Sequence, residues 1–169
     1  MNLSGDRRDL FLHSSLREQI LEHLFVGKAL QTMWQLGYRD MEVLRGEIDS
    51  SGFDVVMASG RIIRHIQLKS SHLEGRTIDQ KVNLALATKP SGCIVWMRIC
   101  AQTLEPASYL WFGGNPGEPL PDINGFPAAR HTKGNAEGLK KDRPNIRKIS
   151  KRHFKELASM REVIHALFG

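Results

Sequence analysis

Asp54, Gln67 and Lys69 are the residues of this chain best spaced to do chemistry together. They lie in SGFDVVMASGRIIRHIQLKSS, which reads as two short apolar strands over Asp54–Ala58 and Ile62–Lys69. The apolar run breaks at Ser59-Gly60-Arg61, and Gly60 can take the positive φ that a tight hairpin turn requires. With Gly60-Arg61 as a two-residue loop, Ser59 pairs with Ile62 and Asp54 falls opposite Gln67, roughly 5 Å away at Cβ. Lys69, two residues on, projects from the same face as Gln67. Any other even-length loop keeps the three on one face. Polar groups set beside Val56 and Ile63 are costly to bury unless something uses them. A carboxylate and an amide oxygen can hold a hard divalent cation, and an amine beside them can orient a water. Phosphodiester hydrolysis needs such parts: an activated water, charge neutralisation at phosphorus and help for the leaving oxygen.

The surrounding elements must hold these groups. Apolar Leu21, Phe25, Val26, Ala29, Leu30 and Met33 recur at helical spacing and predict a helix from about Ser15 to Leu36. Ser14 or Ser15 suits its N-cap, Glu18 the capping-box position, and Gly37 its end. Glu18 and Glu22 are one turn apart and share a face. Glu22 borders the core-facing stripe and is the favoured helical carboxylate, with Glu18 as the alternative. A strand is expected at Met41–Leu44, then the hairpin, then a helix over Thr77–Thr88 ended by Pro90. On that helix Gln80, Lys81 and Asn83 could face a cleft. CIVWMRIC is a nearly continuous apolar strand, expected to be central and covered on both faces. Ser108–Phe112 reads as a further strand, Gly113–Asn145 as a long loop, and Lys151–Leu167 as a final helix.

This order and spacing resemble the PD-(D/E)XK nuclease superfamily, the restriction-endonuclease-like fold. The motif there is an acidic residue on one strand, then acidic-x-Lys or Gln-x-Lys on the next. Here the resemblance is carried by Asp54 and Gln67-Leu68-Lys69, with a glutamate on the preceding helix, and it covers about residues 15 to 100. The chain departs from the common pattern at Gln67, where many members carry Glu or Asp. The resemblance implies an α/β domain with a mixed central β-sheet flanked by helices, its core ordered α-β-β-β-α-β. It further implies an endonuclease that hydrolyses DNA with Mg²⁺ or Mn²⁺. Asp54, Gln67, the Leu68 backbone carbonyl and Glu22 would ligate the metal, and Lys69 would orient or deprotonate the attacking water. Ser70 and Ser71 would contact phosphate. A homodimer is expected by analogy, because one site cuts one strand. Two other classes stay open. One is a non-catalytic module on the same fold that binds nucleic acid or a protein, which the neutral Gln67 allows. The other is a defence- or toxin-system component that acts only with a partner chain.

Charge supports a polyanionic partner. The chain has 169 residues and a net charge of +6, with 41% apolar and 25% charged residues, which suits one soluble domain spanning 1–169. Between Arg130 and Lys155 there are ten Lys or Arg and two acidic residues, so that stretch is +8 and the remainder −2. Residues 113–155 therefore read as a loop-rich basic extension packed on the core. Lys133, Lys140, Lys141, Arg143, Arg147, Lys148, Lys151 and Arg152 would form a nucleic-acid clamp. The bland alternative is a solvated charged face. Cys93 and Cys100 fall seven apart on one strand and point to opposite faces, so neither a mutual disulfide nor a metal site is implied. A reduced cytoplasmic setting is the default expectation. The N-terminal MNLSGDRRDLFLHSS has no signal-peptide core, and no run is long enough to span a membrane. HExxH, CxxC and GxSxG patterns are absent from the sequence, and GGNPG at 113–117 lacks the Lys-Ser/Thr of a phosphate-binding loop.

Overall fold

The computed structural model describes residues 13–46, 52–130 and 142–169. Its first element, α1 (Ser14–Gln35), buries Leu21, Phe25, Val26, Ala29 and Met33 along one side. His13 occupies the cap position without a side-chain hydrogen bond, so neither Ser14 nor Ser15 caps the helix. Gly37, at φ 96°, follows its end. Three strands come next: β1 (Glu42–Arg45), β2 (Val55–Ser59) and β3 (Ile62–His72). Ser59 pairs with Ile62 across the β2–β3 turn, as the two-residue loop requires. Gly60 sits at φ 59°. Asp40 clamps this turn, accepting the Ser59 hydroxyl at 2.8 Å and the Gly60 N–H at 2.6 Å. Those bonds favour its ionised form and lower its pKa.

Further along are β4 (Asp79–Asn83), β5 (Gly92–Ile99), β6 (Pro106–Gly113), β7 (Ala128–Arg130), β8 (Asp142–Ser150), β9 (Lys155–Leu157) and α2 (Met160–Phe168). The main sheet runs β1-β2-β3-β5-β6-β9. Among the described strands only β3 and β5 pair in parallel, so the sheet is mixed and the class α/β. β5 lies inside it with every residue buried, because both faces are covered. On one face, Val55, Met57, Ile66, Cys93, Val95 and Met97 pack against α1 and α2. On the other, Ile94, Trp96 and Leu110 pack against Val82, Leu86, Leu120, Ile123 and Ile149.

That second face corrects three expectations. The helix expected over Thr77–Thr88 is strand β4 followed by a 3-10 turn, Leu84–Thr88. Gln80 and Val82 alternate with Asp79, Lys81 and Asn83, a period of two, and β4 finds its partner in β8 more than sixty residues away. Asn83 then starts the turn by accepting the Ala85 N–H at 2.9 Å. The expected long loop contains β7 and leads into β8, and these two strands with β4 form a second, antiparallel sheet. The expected Lys151–Leu167 helix begins only at Met160. Before it come a 3-10 turn, Lys151–His153, and β9. Ser159 caps α2 by accepting the Glu162 N–H at 3.3 Å, while Glu162 accepts the Ala158 N–H at 3.2 Å. This reciprocal pair is a capping box, legible as Ser159-x-x-Glu162. Helices therefore flank one face of the main sheet and a small sheet covers the other.

Arg64 on β3 ties these layers together. It is fully buried. Its Nε donates to the Leu167 carbonyl at 2.8 Å, and its terminal nitrogens donate to the Ala166 carbonyl, the Gly114 carbonyl and the Ser91 hydroxyl at 3.0–3.1 Å. Burial pulls its pKa below the ordinary value. A buried guanidinium here satisfies the carbonyls at the C-terminal end of α2, where a cation is favoured. Both cysteines are free thiols. Burial pushes Cys93 up to about 12, so it stays protonated and serves as core.

Candidate active site

The geometry of the site follows from where β2 begins. The last β2–β3 pair at this end is Val55 with Ile66. Asp54 continues the pattern by donating its N–H to the Ile66 carbonyl at 2.9 Å. Its carboxylate Oδ2 then accepts the Leu68 N–H at 2.6 Å, where a ladder partner would otherwise stand. In an extended strand the N–H and C=O of one residue point the same way. The Leu68 carbonyl is thus directed toward Asp54 as well, one step past the end of β2.

Gln67 and Lys69 leave β3 on the opposite side from Leu68. They sit beside Ile94 and Trp96 in the parallel register with β5. Gln67 is only 8% exposed, and its amide oxygen is buried without a hydrogen-bond partner. An orphaned acceptor of this kind costs about 1–3 kcal/mol and calls for an explanation. Lys69 is half-buried.

A cleft of about 960 Å³ brings the predicted residues together: Asp54, Gln67, Leu68, Lys69, Ser70, Glu18 and Glu22 all line it. α1 supplies the two glutamates from its first turns. The second sheet forms the facing wall, and Gln80, Lys81, Asn83 and Arg143 all line the cleft, the first three from a strand rather than a helix. Arg17 and Asp79 line it too, and no motif in the sequence marks them. The alternation that makes Asp79 face outward is visible only once β4 is recognised as a strand.

Other predicted residues lie elsewhere. Ser71 is buried, and its hydroxyl accepts from Trp96 Nε1 at 2.7 Å and Arg98 at 2.8 Å, a structural engagement. Lys148 pairs with Asp79 at 3.0 Å. Arg147 is turned onto the carbonyls of Asn124 and Pro144. Lys151 and Arg152 are exposed on the 3-10 turn after β8. Lys133, Lys140 and Lys141 lie outside the described residues. His65, on the same β3 face as Gln67, stands edge-on to Phe53 with ring centroids 5.1 Å apart. Burial, reinforced by Lys89, lowers its pKa.

Glu22 is engaged. Its Oε1 lies 3.1 Å from Arg45 Nε on β1. Both side chains are partly exposed, and such pairs are worth about 0–1 kcal/mol. Among the described residues no three His, Cys, Asp or Glu side chains gather closely enough to hold a metal ion by themselves. A cation here would rely on one carboxylate plus neutral oxygens, those of Gln67 and Leu68. That donor set fits Mg²⁺, which typically takes one or two carboxylates and keeps several waters. The unsatisfied Gln67 oxygen is what such an ion would use. Comparison with family models, with curated proteins and with solved structures returns no match. No helix among the described residues is long and apolar enough to cross a membrane.

Proposed function

We propose that this chain is a metal-dependent endonuclease that hydrolyses phosphodiester bonds in DNA at the Asp54–Gln67–Lys69 cleft. The observation that carries the reading is the buried, unpartnered Gln67 oxygen beside a carboxylate and a lysine in one cleft. Asp54, Gln67 and the Leu68 carbonyl would hold Mg²⁺ or Mn²⁺, with Glu22 joining if it exchanges Arg45 for the ion. When bound, the cation supplies charge neutralisation at phosphorus and a water of lowered pKa. Lys69 would orient that water and stabilise charge developing on the phosphoryl oxygens. Arg17, Lys81 and Arg143 would hold the flanking phosphates, giving affinity without base recognition. Ser70, at the rim, would add a hydroxyl contact to phosphate. The basic β8 strand would extend the phosphate track.

The competing reading is a binding module without catalysis, and one observation favours it. Asp54 already accepts the Leu68 N–H at 2.6 Å, which gives its carboxylate a structural task at the end of the β2–β3 ladder. Calorimetric titration with Mn²⁺ separates the two without needing the right substrate. The nuclease reading expects specific binding in the wild type and at least a tenfold loss, about 1.4 kcal/mol, in Asp54→Ala. Equal binding by both chains would remove the metal site and leave the binding module.

A further inference from the structure

Glu22 reaches the cleft from α1 and is held at its edge by a cation from another element. Its Oε1 lies 3.1 Å from Arg45 Nε, with the two side chains 25% and 41% exposed. The terminal nitrogens of Arg45 lie 3.1 and 3.3 Å from the two ring nitrogens of His23. Arg45 is the last residue of β1, and β1 is the outer strand of the main sheet. Its guanidinium is thus parked on the Glu22-His23 step of α1 with part of it open to solvent. Nε meets the carboxylate while both terminal nitrogens meet the imidazole. The fork that a guanidinium offers to a phosphate is therefore divided between two partners.

We propose that Arg45 is a positioning residue that keeps Glu22 off the metal until a substrate phosphate draws the guanidinium away, so that DNA and the cation bind cooperatively. This coupling rests on the nuclease reading of the cleft and adds to it the control of a metal ligand. Charge gives the reason. Asp54 offers one negative charge to a divalent ion, and the Gln67 and Leu68 oxygens offer none. Ligand charge tunes the affinity of oxygen sites for hard cations, so a site with a neutral Gln67 depends on a second carboxylate. Asp79 lines the same cleft and is tied to Lys148 at 3.0 Å. Glu22 is tied to Arg45, and that tie is one a phosphate can take over. A phosphate accepts both prongs of a guanidinium, whereas Arg45 gives Glu22 its Nε. A partly exposed ion pair is weak, so an incoming phosphate competes for Arg45 and its departure frees Glu22. Each ligand then raises the affinity for the other by the same factor, because linkage is reciprocal.

Calorimetric titration of the full chain with Mn²⁺, first without DNA, is the test. Arg45→Ala should bind Mn²⁺ about two- to fivefold more tightly than the wild type, the range a partly exposed pair allows. In a Glu22→Gln background the same substitution should bring no gain, and in a Glu18→Gln background the gain should persist. No gain in Arg45→Ala overturns the proposal. So does an equal gain with and without Glu22, since Arg45 would then merely repel the ion. A short DNA duplex is next added to chains carrying Lys69→Ala, which leaves the DNA uncut. The duplex should raise Mn²⁺ affinity where Arg45 is present, and by about twofold less or weaker still in Arg45→Ala. Coupling of equal size in both chains overturns the proposal and leaves the metal site standing. Mn²⁺ binding by none of these chains, with or without DNA, removes the nuclease reading and the proposal with it.

Discussion

At the residue scale, Gln67 and His65 share a strand face, and each buries a polar atom without a hydrogen-bond partner, the Gln67 amide oxygen and His65 Nδ1. Gln67 presents a buried oxygen with no partner, and a glutamate there would add charge to the same position. Gln67→Glu is therefore expected to raise Mn²⁺ affinity by at least about tenfold, since a nearby opposite charge outweighs a neutral dipole. Unchanged affinity on titration would put Gln67 outside the ligand set. For His65, burial lowers the folded-state pKa below that of the unfolded chain. As pH falls, the unfolded chain takes up the proton first, so stability decreases below roughly pH 6.5 until the folded-state pKa is reached. Melting temperatures measured from neutral to acidic pH should drop less in His65→Gln than in the wild type. An identical drop would show that other groups carry the acid sensitivity. Of these residues, Asp54, Gln67 and Lys69 were legible because strand pairing is local and a two-residue turn fixes its register. The burial of Ser71 was not, since its partners Trp96 and Arg98 come from a strand beyond the hairpin.

At the element scale, long-range pairing decided what the sequence did not. Thr77–Thr88 contains Leu-Ala-Leu-Ala-Thr, good helical material, yet its first half is drawn into a strand by β8. Phe154 and Leu157 are three apart and buried, which imitates helical spacing, but the capping box at Ser159 starts α2 only after them. α1 was readable because its 22 residues repeat the apolar spacing over many turns. Arg64 looked like an ordinary polar residue in a hairpin, and only the tertiary fold gives it four acceptors, two from the end of α2 and two from Ser91 and Gly114. Arg64→Leu should destabilise the fold by about 3 kcal/mol, because buried carbonyls at the end of α2 would lose their donors. Urea denaturation would measure it, and a loss below about 0.5 kcal/mol would mean that α2 is held by its apolar face alone.

At the scale of the whole molecule, the main sheet, the first turns of α1 and the basic second sheet converge on a cleft of about 960 Å³. The overall α/β class and the mixed central sheet were legible from the hairpin and the apolar β5. The second sheet was hidden because its strands are short, polar on one side and far apart in sequence. Under the nuclease reading Arg143 in the cleft wall, with Lys148 on β8 and Lys151 just past it, would extend the phosphate track. Replacing Arg143, Lys148 and Lys151 with Ala should weaken DNA binding. It should also flatten the slope of log K against log salt by about 2 to 3, nearly one unit for each phosphate that is no longer neutralised. An unchanged slope in fluorescence-anisotropy titrations would return these residues to an ordinary solvated surface. The most direct test of the central claim is cleavage of supercoiled plasmid with Mg²⁺ or Mn²⁺ by the wild type, Asp54→Ala and Lys69→Ala, beside an EDTA control. The account predicts metal-dependent nicking by the wild type alone. Equal nicking by all three chains, or none by any, would contradict a nuclease centred on this cleft.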